Sequence, residues 1–256
     1  MNQNDITNWN AIAREYDALI TRGDFFRERL LNPTLLSLLG NVSEKKILDA
    51  GCGQGYLSEL LTKKGATMTG VDGAETLVTL ARAHAHQKDM RISYITHNLT
   101  APLPFENHAF DCVISNMVLV DFDPIALFIK ESARVLSNNG IFIFSILHPL
   151  FATGTLQKNI RDILLRRTPH YAVSQYASLF SKSWHIPGTS THTRIYHRPI
   201  SFYGEQLKQA GFIITDICEP VFTQDEVRGK NGAMKILSEI PLFLIVKARV
   251  CPQDIV

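Results

Sequence analysis

The stretch Lys46–Gly55, KILDAGCGQG, constrains this chain more than any other. A short apolar run, Ile47 and Leu48, ends in Asp49, and glycines follow at alternate positions, Gly51, Gly53 and Gly55. The period then changes, because Leu57, Leu60 and Leu61 recur at the spacing of one helix face. The expected structure is strand, glycine turn, helix. Such a turn lets a backbone approach a ligand closely, since no Cβ stands in the way.

The same alternation continues downstream. Apolar strands are expected at KKILDA, ATMTGVD, ISYITHN, DCVISN and IFIFSIL, separated by helical stretches. The helix after the second strand shows Leu77, Leu80, Ala81 and His84 on one face, and the turn Ser137-Asn138-Asn139-Gly140 is expected to precede the fifth strand. Five such units imply an α/β fold with a doubly wound, mainly parallel sheet and helices on both faces. Residues 5–20 carry helical spacing, and a second helical stretch after Gly23 is expected to break at Pro33. Residues 1–44 therefore read as an N-terminal helical cover on a single domain. After the fifth strand, residues 151–198 lose the pattern and hold one expected helix, Leu156–Arg167. Regularity returns with a helix at 201–210, a sixth strand FIITDICE and a last strand LFLIVKAR, whose approach through a short helix (233–239) allows it to enter antiparallel.

Composition excludes several alternatives. The four cysteines, Cys52, Cys112, Cys218 and Cys251, form no CxxC pair, which argues against zinc and against a disulfide framework and for a cytoplasmic protein. The opening MNQNDITNWN has no signal-peptide pattern, and the longest apolar run, Pro241–Val246, is far short of the roughly 20 residues that cross a bilayer. A net charge of +2 is too small to argue for nucleic acid.

Two further features join the glycine turn. Asp72 ends the second strand, 17 residues beyond Gly55, where an acid can accept from both ribose hydroxyls. Asn98-Leu99 follows the third strand, where an amide could pair with an adenine edge and a leucine pack on its face. Tyr56 denies the GxGxxG spacing of a dinucleotide fold. DAGCGQG, GVDGA and NLTAPLPFENHAFDCVISNMVL together resemble the motifs of class I S-adenosylmethionine (SAM)-dependent methyltransferases, and WNAIAREYD, GFIITDICEP and PLFLIVKAR resemble their small-molecule branch, which includes quinone-biosynthesis enzymes. The resemblance covers most of the chain outside roughly 151–195. It implies a seven-stranded sheet of order 3-2-1-4-5-7-6 with strand 7 antiparallel and a cap inserted after strand 5. It also implies SAM as cofactor and S-adenosylhomocysteine (SAH) as product. Asp49 and Gly51 would lie at the methionyl side, Gly53 would also bind the cofactor, Asp72 would lie at the ribose, Gly73, Leu77, Asn98 and Leu99 at the adenine, and Ser115 near the methionine end; Tyr16 would fold over the cofactor. Many relatives have Asp where Asn98 stands, and the Asn carbonyl is expected to replace it.

The acceptor side is less defined. A His common after strand 4 in relatives is Val120 here, followed by Asp121. Asp121 and His148 are the candidates for a general base, which is needed only if the acceptor must lose a proton. His197 and Arg198 precede the 201–210 helix, with Arg198 open to a substrate anion or an internal carboxylate. The 151–198 cap carries seven basic residues (Lys158, Arg161, Arg166, Arg167, Lys182, Arg194, Arg198) against Asp162, with interleaved aromatics. The expected activity is methyl transfer to a small molecule, anionic or aromatic. A tRNA-base methyltransferase is the alternative raised by the basic cap, although strand 4 ends in SNMV without [ND]PP[YF]. A non-catalytic SAM-binding protein is the alternative raised by Val120. No metal and no membrane association are expected.

Overall fold

A computed structural model of the chain describes residues 3–157, 170–186 and 188–251. The strands are β1 (Lys46–Ala50), β2 (Thr67–Asp72), β3 (Ser93–Thr96), β4 (Phe110–Asn116), β5 (Leu136–Leu147), β6 (Gly154–Gln157), β7 (His170–Val173), β8 (Phe180–His185), β9 (His192–His197), β10 (Phe212–Cys218) and β11 (Phe243–Val250). Seven of them form one sheet in the order β3-β2-β1-β4-β5-β11-β10. Strands β1 to β5 pair in parallel, and β11 enters antiparallel between β5 and β10. The order that the family resemblance implies is the order found. It reverses between β1 and β4, which opens a crevice beyond their carboxyl ends.

The helices are α1 (Gln3–Arg22), α2 (Asn32–Leu39), α3 (Tyr56–Thr62), α4 (Glu75–Gln87), α5 (Ala126–Val135), α6 (Pro149–Thr153), α7 (Ile200–Gln209), α8 (Gln224–Val227) and α9 (Gly232–Lys235). Alternate strand residues feed two cores, one on each face of the sheet. Leu48, Val113 and Phe144 pack under α5 and α7, whereas Ile47, Ile114 and Ile143 pack under α2 and α3. Both faces are therefore dry, which is why the strands read as continuous apolar runs. Among the described residues no helix is long and apolar enough to cross a membrane.

Four local expectations change. The chain does not break at Pro33. A π-helical turn, Arg27–Leu31, runs into α2, with Asn32 N–H donating to Arg27 O, five residues back. Proline has no N–H and its ring crowds the carbonyl four residues earlier, so widening the ladder lets the helix continue. Residues 137–140 lie within β5, because Leu136 already pairs with Phe110 before a register shift. On α4, Val78, Ala81 and Ala85 face the core with Leu77, while His84 meets Asp17 of α1 at 3.6 Å. In the cap, Leu156 and Gln157 belong to β6, paired with β7; the rest of the expected helix lies outside the described residues.

A second hairpin, β8–β9, lies against α1. Tyr196 Oη donates to Asp5 Oδ2 at 3.1 Å, and Ser190 N–H donates to Glu15 Oε2 at 2.7 Å. Helix α1 and this hairpin thus form one roof over the crevice.

Candidate active site

The glycine turn hangs from β2: the N–H groups of Gly51 and Cys52 both donate to Val71 O, at 2.7 and 3.0 Å. All three glycines have positive φ, but they serve different neighbours. A Cβ on Gly51 would lie 2.3 Å from Val118 Cγ2, and one on Gly55 would lie 2.4 Å from Tyr94 Oη. These two positions are small so that the turn can pack. Gly53 differs, since the nearest atom to its Cβ would be Tyr16 Cε1 at 4.0 Å, which leaves a slot between turn and ring.

Asp72 anchors that slot. Its two carboxylate oxygens accept from Gly53 N–H (2.9 Å) and Ala74 N–H (2.8 Å). Burial raises its proton affinity, and these backbone donors oppose the rise. Gly51, Gly53, Asp72, Gly73, Leu77 and Leu99 line one cavity here, roofed by Trp9 and Tyr16. An adjoining polar cavity is lined by Asp49, Gly51, Gly53, Gln54, Arg27 and Asn116. Asp49 is 1% exposed and accepts from Ser58 Oγ at 2.7 Å; burial pushes its carboxyl up to about 6.

A larger cavity of about 550 Å³ lies on the far side of Tyr16. Its walls are mostly apolar and aromatic, with Phe26, Ile146, Trp184, Ile195 and Tyr203 among them. Asp121 lines both this cavity and the glycine-turn cavity. Its carboxylate has no protein hydrogen-bond donor among the described residues, and burial, then Asp72 and Asp5, push its pKa well above the usual carboxylate range. Arg198 is 3% exposed, and it donates to Leu119 O (2.7 Å), Phe122 O (2.6 Å) and Asp123 Oδ1 (2.7 Å). It is an internal clamp on the loop after β4.

A family model described as a methyltransferase domain matches residues 48–144. The chain is 33% identical over 156 residues to the ubiquinone biosynthesis O-methyltransferase of Histophilus somni (strain 2336), covering 57% of this chain and 65% of that protein. It is 30% identical over 184 residues to the enzyme of the same name from Bartonella quintana (strain Toulouse), covering 66% of this chain and 73% of that protein. The chain belongs to the SAM-dependent methyltransferase family. A solved SAM-dependent methyltransferase from Mesorhizobium loti superposes with a TM-score of 0.71 at 25% identity, over 85% of this chain and 96% of that one. The chain spans 52% of a further relative of the same name, from Bartonella tribocorum (strain CIP 105476 / IBS 506), at 34% identity over 50% of this chain.

In this methyltransferase the structure gathers Tyr16, Asp49, Gly51, Gly53, Asp72, Gly73, Leu77 and Leu99 around the two turn-side cavities. Three expected site residues do not line any of the three cavities described. Asn98 Oδ1 accepts from Thr100 N–H (3.1 Å) and Thr100 Oγ1 (2.9 Å), so its carbonyl is spent within its own turn. Ser115 faces the core at 0% exposure, and its neighbour Asn116 takes the cavity position. His148 caps α6: its Nδ1 accepts from Leu150 N–H at 3.2 Å, which leaves Nε2 to donate to Glu219 Oε1 at 2.8 Å. Both ring nitrogens are occupied away from the cavities.

Sequence reasoning missed Arg27, Asn116 and Met117. Arg27 is carried into the cavity by the π-helical turn. Met117 has φ +65 and its N–H donates to Ser145 O at 2.9 Å. Such a backbone strain at the end of a central strand is a mark of a site, but no spacing rule announces it.

Proposed function

We propose that this protein transfers the methyl group of SAM to an uncharged, ring-bearing small molecule held in the apolar cavity, with Asp121 taking the acceptor's proton. One observation carries the reading. Trp9, Tyr16, Met117 and Asp121 line both the glycine-turn cavity and the apolar cavity, so donor and acceptor would meet across one shared wall. Holding two reactants in line is most of what this chemistry asks of a protein.

The residues present suit the cofactor. Asp72 retains lone pairs for ribose hydroxyls, Leu77 and Leu99 offer apolar sides to a base, and the open slot at Gly53 admits a ligand under Tyr16. Arg27 would meet the methionyl carboxylate, because it lines the polar cavity beside Asp49. Bound there, SAM supplies a methyl group on a positively charged sulfur. Tyr16 and Trp9, edge to face at 5.2 Å, exclude water from above. A desolvated carboxylate with no protein donor is suited to accept a proton from a weakly acidic group.

An uncharged acceptor is favoured by the fate of the cap's cations. Lys158, Arg161, Arg166 and Arg167 lie outside the described residues. Of the others only Arg198 lines the cavity, and its guanidinium is already paired; Arg27, a cation from outside the cap on the same wall, is assigned to the methionyl carboxylate. An oxygen nucleophile is supported by the names of the relatives. We also place the protein in the cytoplasm, on cysteines that form no CxxC pair in the sequence.

The test combines binding and turnover. SAH at millimolar concentration is expected to raise the Tm by mass action. Asp121→Asn is expected to keep SAH binding while turnover of hydroxyaryl acceptors falls by about 10²–10⁴-fold. No Tm shift with SAH would remove the cofactor reading, and wild-type turnover by Asp121→Asn would remove the base.

A further inference from the structure

The end of the sheet away from the glycine turn has a cavity of its own. It measures about 210 Å³ and lies at the amino ends of β1 and β4. Leu39, Val42, Ile47 and Ile141 give it an apolar floor. Lys45, Lys247 and Arg249 line it as well, against Asp111 as the one lining acid.

Two of these cations stand where the strand pattern calls for apolar side chains. On β11, Leu244, Val246 and Ala248 enter the core under α5 and α7, while Phe243 and Ile245 enter the core under α2 and α3. Lys247 and Arg249 continue the second of these faces, opposite Ile143 and Ile141 of β5. Inward charge can blunt a sheet edge, but β11 lies between β5 and β10 and has no edge to protect. A half-buried charge on an apolar face is costly unless a partner meets it. Lys247 Nζ donates to Leu38 O at 2.7 Å at the end of α2, which uses one of its three hydrogens. Lys45, Lys247 and Arg249 form no ion pair among the described residues. Asp111 is tied to the start of β1, where its Oδ2 accepts from Lys46 N–H at 2.9 Å. The walls therefore carry a net two positive charges. Cys112, on the same wall, feels them: burial raises its thiol pKa, Lys247 lowers it, Asp111 raises it and Lys45 lowers it.

We propose that this cavity is a second ligand site, for a small organic phosphate whose charge is met by the three cations and whose carbon body lies on the apolar floor. A phosphate monoester carries close to two negative charges at neutral pH, which matches the walls. Arg249 offers a planar fork to its oxygens, and the lysines offer point charges. Asn41 Oδ1 accepts from Ser43 N–H at 3.0 Å, which leaves its amide hydrogens for the same group. Asp111 and the last carbonyls of α2 oppose an anion, and Lys247 already takes one of those carbonyls. The site shares no residue with the three cavities around the glycine turn and Tyr16, so it stands apart from the methyl-transfer reading.

Phenyl phosphate, inorganic phosphate and phenol are titrated calorimetrically into the full chain at low ionic strength. Phenyl phosphate is expected to bind at millimolar concentration or below, about fivefold more tightly than inorganic phosphate through partial burial of its ring, and phenol not measurably. Arg249→Gln and Lys45→Gln alter exposed side chains with no ion pair, and each is expected to weaken phenyl phosphate about three- to tenfold. Asp111→Asn keeps an acceptor for Lys46 N–H and removes the opposing charge, so it is expected to tighten phenyl phosphate about threefold, a gain that a merely structural role would not produce. Excess SAH is expected to leave the affinity unchanged. No binding of phenyl phosphate at millimolar concentration overturns the proposal. So does inorganic phosphate or phenol binding as tightly, displacement by SAH, indifference to either glutamine variant, or weaker binding by Asp111→Asn. A chain that fails to bind SAH loses the methyl-transfer reading alone, because the three variants still decide this site.

Discussion

Replacing Gly51 and Gly53 by alanine separates the two jobs of the glycine turn. At Gly51, φ is +85°, and the new methyl would lie 2.3 Å from Val118 Cγ2 and 2.5 Å from Val118 Cγ1. The left-handed backbone costs an L-residue about 1–2 kcal/mol. Val118 is 8% exposed and β-branched, so it cannot swing clear; forcing a methyl against it adds about 1–3 kcal/mol. The sum is about 3 kcal/mol, a Tm loss of about 6–12 °C for a chain of this size. At Gly53, φ is +53° and the nearest atom would be 4.0 Å away, so only the backbone cost remains, about 1 kcal/mol and about 2–4 °C. The methyl there would instead fill the slot under Tyr16 and weaken SAH binding. Thermal unfolding by circular dichroism and calorimetric titration with SAH read the two effects separately. A Gly51→Ala protein that melts within 2 °C of the wild type, or a Gly53→Ala protein that loses more stability than ligand affinity, would refute the reasoning.

Asp72→Ala removes two ribose contacts to a charged group, each worth about 1.5–3 kcal/mol, so SAH affinity is expected to fall about 10²–10⁴-fold; a change under threefold by calorimetry would refute the assignment. Asp49 makes stability pH-dependent in a stated direction. Below about pH 4 both folded and unfolded chains hold its proton; between about pH 4 and about 6 the unfolded chain ionises first and stability falls, by up to about 3 kcal/mol. Asp49→Asn is expected to flatten the Tm profile across that window, and an unchanged slope would show that another group sets it. Arg198→Lys keeps the charge but not the fork that holds Leu119 O, Phe122 O and Asp123, and is expected to cost about 3 kcal/mol in urea unfolding.

Legibility followed the range of the forces. The strand–turn–helix units were plain because their signals are local: apolar runs in buried parallel strands, i, i+3, i+4 spacing in helices, glycine where φ turns positive. Their order in the sheet followed from the family resemblance and is what the pairing shows. Failures came where one residue of phase decides a face. Ser115 and Asn116 are adjacent on β4 and point to opposite sides, and it is Asn116 that lines the cavity expected for Ser115. Asn98 was placed by position, but its carbonyl found a nearer donor in Thr100. His148 was placed at the crevice by topology, and a helix end and Glu219 then took both its nitrogens.

The sequence by itself determined the strand–turn–helix frame of the glycine-turn cavity, because apolar runs, helical spacing and turn glycines are local signals. Only the tertiary structure decided the apolar cavity and which cation joins the glycine-turn side. Arg27 reaches its cavity through a π-helical turn, and His197 lines the apolar cavity from a hairpin bonded to the loop after β4. Arg198, 77 positions after Asp121 in the chain, spends three hydrogen bonds on the loop that carries Asp121 and none on its carboxylate. Which polar atoms remain unpaired is a property of long-range packing, and no spacing in the sequence records it.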